Sequence, residues 1–288
     1  MAMPSRDYVE QYWDQGYAVL RGFLPRTALG ELQAETRRLY AEGLKHPTTY
    51  RDRNLLFEIL PDSFRGQRYL LQAHWIAWIS PYFEQLRRSE PYRRLLGPLL
   101  GDDIKQVAQQ IHWKPPGAER TGFRFHQDLR FRERQDAFRD LMTSYITTGL
   151  AIDPATRENG CLRIIPESHK LGYLGLSDDG PLMKGVTEDG TLLAAGLDPT
   201  AIVDIELEPG DLVIWSLLTV HGSNINRSDR DRALALSSYV QAANSERGEW
   251  AFRDGESIGL GAEPQLCKYE QLHTKPGPFY SDDPWYAD

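Results

Sequence analysis

Apolar positions along the chain keep two different periods. In the first hundred residues the spacing is helical. Leu29, Leu32, Leu39, Tyr40 and Leu44 form one stripe along residues 27–44. Thr27 is the expected N-cap, and Glu31 lies near the place a capping box uses. A short helix over residues 7–15, stopped at Gly16, precedes a short strand at 17–20. One or two helices follow at 81–100, interrupted near Pro91. After residue 100 the period changes. Residues 104–114 (IKQVAQQIHWK) alternate, 142–152 are rich in β-branched residues, and 161–165 form a short apolar run ended by proline. Residues 201–207 and 211–215 flank the turn signal Glu208-Pro209-Gly210, and 232–242 read as a further strand. Asn159-Gly160 reads as a hairpin turn that aims residues 161–165. Short strands with turns between them predict a sandwich or barrel. Residues 171–199 read as a loop, and no element is assigned from Asn244 onward.

Composition narrows the class. The chain has 288 residues, 41% hydrophobic and 26% charged, as in a soluble globular protein with a full core. Its net charge of −8 argues against a nucleic-acid binder and, more weakly, against anionic membranes. No segment approaches the length of an apolar membrane span, and no secretory signal opens the sequence. With two cysteines, Cys161 and Cys267, expected as thiols, the expected compartment is reducing cytoplasm.

The chemistry starts from RFHQDLRF, residues 124–131. On a strand, residues i and i+2 share a face, so His126 and Asp128 would stand side by side. They would supply a nitrogen and an oxygen of a 2-His-1-carboxylate site for non-haem Fe(II). Alone, the motif reads equally as an edge strand with two solvated polar residues. Of the seven histidines, His221 offers a third ligand, because it leaves an apolar strand into HGSNINRS. Arg232 opens the strand RALALSSYVQA. Facing inward it needs an anion, and its planar fork suits a carboxylate; alone it reads as an exposed strand-end arginine.

Together these residues resemble the phytanoyl-CoA dioxygenase family of Fe(II)/2-oxoglutarate oxygenases. GYAVLRGFLP (16–25), IHWKPPG (111–117) with FHQDL (125–129), DPATRENGCLRIIPESHK (153–170) and HGSNINRSDRDRALALSSY (221–239) are similar to its motifs in the same order. The likeness spans roughly residues 8–242. It implies a mainly β (α+β) fold: a double-stranded β-helix, or cupin-like jelly roll, with N-terminal helices packed on one sheet. One domain over 1–288 is expected, with a mostly helical part at 1–100, a jelly-roll core at 101–245 and a tail at 246–288. The resemblance implies Fe(II) on His126, Asp128 and His221, O2, and 2-oxoglutarate held by Arg232 and Ser223. His112 either contacts 2-oxoglutarate or is a hydrogen-bonded core histidine. Gln110 faces the substrate. Arg130 and Arg132 lie at the expected mouth, to bind an acidic group or to be solvated, and Phe131 flanks the ligands, for substrate or for packing. His169 is expected to hold its turn, and His46, His74 and His273 to lie at the surface or behind the ligands.

Two features qualify the likeness. Glu167 replaces the family's usual glycine in the Pro-Gly-Ser-His turn. Asp128 keeps the carboxylate that halogenating relatives replace with a small residue, which implies oxygenation. The expected reaction is hydroxylation of a small molecule, yielding succinate and CO2; desaturation, epoxidation and ring formation use the same cofactors. A non-catalytic cupin-like metal binder and, behind it, a zinc hydrolase are the competing readings. Net charge favours a neutral or cationic substrate. No nucleic-acid or membrane partner is expected, and monomer and dimer stay open.

Overall fold

The computed structural model describes residues 7–61, 64–132, 137–179, 182, 187–267 and 277–281. Its first half runs α1 (Asp7–Gln15), β1 (Tyr17–Leu20), α2 (Arg26–Gly43), β2 (Thr49–Asp52), β3 (Leu55–Leu60), β4 (Tyr69–His74), α3 (Pro81–Leu86), α4 (Glu90–Leu100), β5 (Ile104–Lys114) and β6 (Phe123–His126). The second half runs α5 (Leu141–Ser144), β7 (Tyr145–Ala151), β8 (Leu162–Ile164), α6 (Asp189–Ala194), β9 (Val203–Ile205), β10 (Leu212–Ser216), β11 (His221–Ser223), β12 (Arg232–Gln241), β13 (Glu249–Arg253), β14 (Glu256–Ser257) and β15 (Phe279–Ser281). A large antiparallel sheet follows the order β1-β10-β7-β12-β5-β4-β3-β2-β15, with β13 also paired to β5. A small sheet follows the order β6-β11-β8-β9. This is the jelly-roll architecture, with a cavity lined by both sheets.

The longest pairing sets the site. β5 and β12 run in register from Arg232 opposite Lys114 to Gln241 opposite Ile104, with one irregularity at Ser238/Tyr239. Alternation splits their side chains between two faces. Ile111, Trp113, Ala233 and Ala235 join Leu32 and Leu39 of α2 and Leu95 and Leu99 of α4 in the main core. Gln110, His112, Lys114, Arg232, Leu234 and Leu236 line the cavity. Each large apolar residue buried on the core face contributes about 1.5–3 kcal/mol. That packing holds the opposite face rigid for polar use.

Several expectations change. α2 begins at Arg26, one residue before Thr27, with Pro25 at the cap and no side-chain cap bond. The break in residues 81–100 falls between α3 and α4, and Pro91 sits in the first turn of α4, where a missing N–H costs nothing. The N-terminal part also carries strands beyond β1: β2, β3 and β4 extend the large sheet. All six residues of β3 (LLFEIL) are buried, so the strand lacks the alternation that reveals a half-exposed one, and a short apolar run does not separate strand from helix. The segment read as a loop contains α6. The unassigned tail adds β13 beside β5 and β15 beside β2. Asn159-Gly160 does not close a hairpin: β7 and β8 belong to different sheets, and the turn carries the chain from one to the other. Glu167 holds the left-handed conformation (φ 63°) that glycine adopts at no steric cost. Cys161 and Cys267 are free and buried. His273 lies outside the described residues. No helix among them is long and apolar enough to cross a membrane.

Glu58, on β3 opposite Gln72, is 1% exposed, and its Oε2 has no hydrogen-bond partner among the described residues. Burial raises its pKa to about 7, against the partial opposition of Arg120 and Arg51. The folded state therefore holds a proton that the unfolded chain releases near pH 4.5. The resulting stability is full below that pH and is lost as pH rises through 7. Glu58→Gln should remove this dependence. Measured by thermal melts at pH 5 and pH 8, the variant should gain on the parent by roughly 2–4 kcal/mol across the interval. Parallel stability–pH curves would show that Glu58 does not titrate there.

Candidate metal centre and its cavity

The small sheet brings the two histidines together. His221 on β11 stands directly opposite His126 on β6, with ring centroids 4.3 Å apart. Each ring is fixed by the carbonyl two residues before it. His126 Nδ1 lies 2.7 Å from the Arg124 carbonyl and His221 Nδ1 2.8 Å from that of Thr219. A carbonyl only accepts, so Nδ1 carries the proton and the Nε2 lone pair stays available to a metal. Both Nε2 atoms lie 3.7 Å from Asp128 Oδ1. One ligand atom from each of the three residues falls within 4.8 Å of the others. Two imidazole nitrogens and one carboxylate oxygen, all reaching from one side into a cavity, are the donor set that suits non-haem Fe(II) and leaves positions for other ligands.

His126 and Asp128 do not share a strand face. β6 ends at His126, and Asp128 opens a 3-10 turn (Asp128–Arg132). The cause is Gln127, which is fully buried. Its Nε2 donates to the carbonyls of Gly172 and Leu218, at 2.7 Å each, and its Oε1 accepts from the Leu174 N–H at 2.7 Å. This clamp ties the turn to two other segments, and the turn swings Asp128 toward the histidines. The large sheet completes the arrangement: Asp128 Oδ2 accepts from Trp215 Nε1 and Thr147 Oγ1, each at 3.2 Å. Oδ1 is thereby left for the metal.

The charges are set by burial and neighbours. Burial alone would raise the Asp128 carboxyl, but His221, His126 and Arg132 outweigh it and hold the group well below the usual carboxylate range. Burial, then His126, push His221 down to about 4, offset in part by Asp128. The His221 imidazole is therefore neutral at pH 7, as a metal ligand must be.

The cavity, about 120 Å³, is also lined by Gln110, His112, Phe131, Ser223 and Arg232. Gln110 Oε1 lies 2.9 Å from His112 Nε2, and the His112 ring stacks on Phe123. Phe131 meets the His126 ring edge to face. Arg232 is 3% exposed, its Nη2 donates to the Gly160 carbonyl at 2.5 Å, and its Nε has no partner among the described residues. Burial lowers it to about 10, so it stays cationic at neutral pH. Gly160 is needed beside it: at φ 78°, an added Cβ would meet the Asn224 carbonyl oxygen at 2.3 Å. Arg130 does not line the cavity. It donates to the Ser177 carbonyl and lies 3.8 Å from Asp178. Arg132 takes a cavity place instead, with its Nε on the Tyr145 hydroxyl at 3.1 Å. His169 binds the Trp13 carbonyl at 3.1 Å, and His46 stacks on Tyr50. Sequence reasoning missed Thr147, Trp215, Gln127 and Leu182 as site residues. A tryptophan ending an apolar strand was the one available signal.

Comparison with known proteins gives the family and the fold. The family model of phytanoyl-CoA dioxygenase matches residues 12–234. A 2-aminoethylphosphonate dioxygenase of an uncultured bacterium (HF130_AEPn_1) is 28% identical over 255 residues, covering 88% of each chain. A methylphosphonate hydroxylase of Gimesia maris is 26% identical, covering 69% of this chain and 67% of that one. Among solved structures, EctD from S. alaskensis with 2-oxoglutarate and 5-hydroxyectoine superposes with a TM-score of 0.67 at 22% identity, covering 96% of this chain and 89% of that one. The epimerase SnoN from nogalamycin biosynthesis gives 0.58 at 19%, covering 91% and 93%.

Trp215→Phe keeps the ring and removes the N–H on Asp128. It should weaken Fe(II) binding about 10- to 100-fold, with the fold intact. Anaerobic Fe(II) titration tests this, and an unchanged affinity would remove Trp215 from the support of the centre.

Proposed function

The chain belongs to the phytanoyl-CoA dioxygenase family, and on that premise we propose that it hydroxylates a small organic molecule at a centre formed by His126, Asp128 and His221. As a dioxygenase of this family it uses Fe(II), 2-oxoglutarate and O2. The observation that carries the residue assignment is the convergence of both Nε2 atoms on Asp128 Oδ1 inside a cavity that also holds the buried Arg232. Bound there, Fe(II) supplies the redox chemistry, pairing oxidation of the substrate with oxidative decarboxylation of 2-oxoglutarate to succinate and CO2.

The chain's own groups have separable roles in this reading. His126, Asp128 and His221 hold the metal from one side, and Trp215 and Thr147 fix which carboxylate oxygen faces it. Arg232 and Ser223 receive the distal carboxylate of 2-oxoglutarate. His112, steadied by Gln110 and Phe123, contacts the cosubstrate, while Gln110 and Phe131 face the substrate. Arg130 holds Ser177 and Asp178 rather than the substrate. The retained Asp128 favours oxygen transfer over halide binding; desaturation, epoxidation and ring formation are the same-cofactor alternatives. The relatives named for phosphonates support a small polar substrate. We read the chain as one catalytic domain, cytoplasmic, monomeric or dimeric, and without a nucleic-acid or membrane partner.

Three variants test the assignment. His126→Ala and His221→Ala should each abolish turnover and weaken Fe(II) binding while circular dichroism stays unchanged; full Fe(II)-dependent activity in either would sink the ligand set. Arg232→Ala should weaken 2-oxoglutarate binding some tens- to thousands-fold, because truncating one side of a buried charge pair costs roughly 2–5 kcal/mol. Arg232→Lys should recover part of the loss, since an ammonium lacks the planar two-point contact. Titration of the iron–keto-acid absorption band under anaerobic conditions measures both. Equal affinity in parent and variants would remove Arg232 from the cosubstrate site.

A further inference from the structure

Arg132 is a cavity cation that neither the ligand set nor the cosubstrate roles use. It is 7% exposed and lines the cavity at the end of the 3-10 turn that opens with Asp128. Its Nε, at 3.1 Å, and its Nη2 donate to the Tyr145 hydroxyl, and its Nη1 donates to the Phe131 carbonyl at 2.9 Å. The guanidinium carbon lies 5.1 Å from the centre of the Tyr145 ring. These partners are neutral and leave its charge in place. Arg132 stands far from Arg232. Along β12 the cavity runs from Arg232 to Ser238, six residues on, or about 20 Å at the strand rise. Ser238 pairs with Thr147, whose hydroxyl donates to Asp128 and lies 3.4 Å from Ser238 Oγ. Tyr145 lies two residues before Thr147 on β7, so Arg132 belongs to this end. Asp128 and Arg132 thus share one end of the cavity, and Arg232 holds the other.

Charge balance says what this end takes. Among the described lining residues Lys114, Arg132 and Arg232 face one carboxylate, Asp128, which leaves two positive charges in excess. A protonated imidazole would only add to it. Fe(II) brings two positive charges, and 2-oxoglutarate, ionised at both carboxyls at neutral pH, brings two negative ones. Seating both leaves the excess where it was. Burial, then Arg232, depress the Lys114 ammonium well below its ordinary value; with Lys114 neutral one positive charge still remains. Uncompensated charge in a low-dielectric interior is costly. The distal carboxylate of the cosubstrate answers Arg232 at its own end, so the excess falls to Arg132. Resting on the function proposed above, we infer that the substrate is a small oxyanion, a carboxylate or phosphonate, and that Arg132 holds its charged group at the Asp128 end of the cavity. The planar guanidinium matches such a group, and the Ser238 hydroxyl adds a donor beside it. Arg132 is then a specificity-determining residue, and it holds neither Fe(II) nor 2-oxoglutarate.

The test uses the full-length protein loaded anaerobically with Fe(II) and 2-oxoglutarate. Four probes of matched size are titrated: ethylphosphonate and propanoate as anions, propanamide as the neutral isostere, and propylammonium as the cation. Calorimetry and the shift of the iron–keto-acid band read their binding to the parent, Arg132→Met and Arg132→Lys. The parent should bind at least one anion about tenfold or more tighter than the amide or the ammonium. Arg132→Met should weaken that anion about 10- to 100-fold and leave propanamide within about threefold. Arg132→Lys, which keeps the charge and guards against loss of folding, should fall between the two. The affinity for 2-oxoglutarate should stay unchanged in both variants. A parent with no preference for either anion would overturn the inference. So would a parallel loss of anion and amide, which marks a packing role, or a loss of 2-oxoglutarate in place of the probe, which assigns Arg132 to the cosubstrate. A parent that binds Fe(II) but gives no band with 2-oxoglutarate would defeat the function proposed above, and this inference with it.

Discussion

Each imidazole of the cluster has one nitrogen bonded to the main chain, and the centre depends on that bond. Nδ1 of His126 donates to the Arg124 carbonyl and Nδ1 of His221 to that of Thr219, two residues back in both cases. The bond chooses the tautomer, fixes the ring plane and aims Nε2 at Asp128. Without it either ring could turn its protonated nitrogen inward and present a donor where the metal needs a lone pair. The direct pairing of β6 with β11 sets the two rings side by side, and the Gln127 clamp turns the chain so that a carboxylate reaches both of them.

The large sheet supplies the stiffness. Along β5 and β12 one face is anchored by apolar contacts to α2 and α4, so the polar side chains on the other face need no packing of their own. That division lets His112, Lys114 and Arg232 stand along one cavity wall. The same sheet reaches across to Asp128 through Trp215 and Thr147, so the carboxylate is oriented by one sheet and the histidines by the other.

Cavity charge and whole-protein charge run in opposite directions. The chain carries −8 overall, yet Lys114, Arg132 and Arg232 line the cavity, where Asp128 is the single carboxylate among the described lining residues. Net charge is an average over a mostly exposed population, and it carries no information on a few buried groups. The charge inside the cavity is therefore set by these few buried groups and not by composition.

Strands whose residue types alternate, or that follow a turn signal such as Glu208-Pro209-Gly210, were readable; β5, β10 and β12 fall within a residue or two of expectation. β3, buried on both faces, left no such trace, and β13 and β15 form only because β5 and β2 have open edges for them. The proposed metal ligands and Arg232 were legible as candidates because few residue types do their chemistry, and their order along the chain resembles a known family. Gln127, Thr147 and Lys114 were not, since amide, hydroxyl and ammonium groups are ordinary on any surface and acquire a role only when burial removes water as their partner. Residue chemistry and its spacing thus named the donors; tertiary pairing decided which way each donor points, because direction comes from hydrogen bonds between segments as far apart in sequence as Asp128 and Trp215.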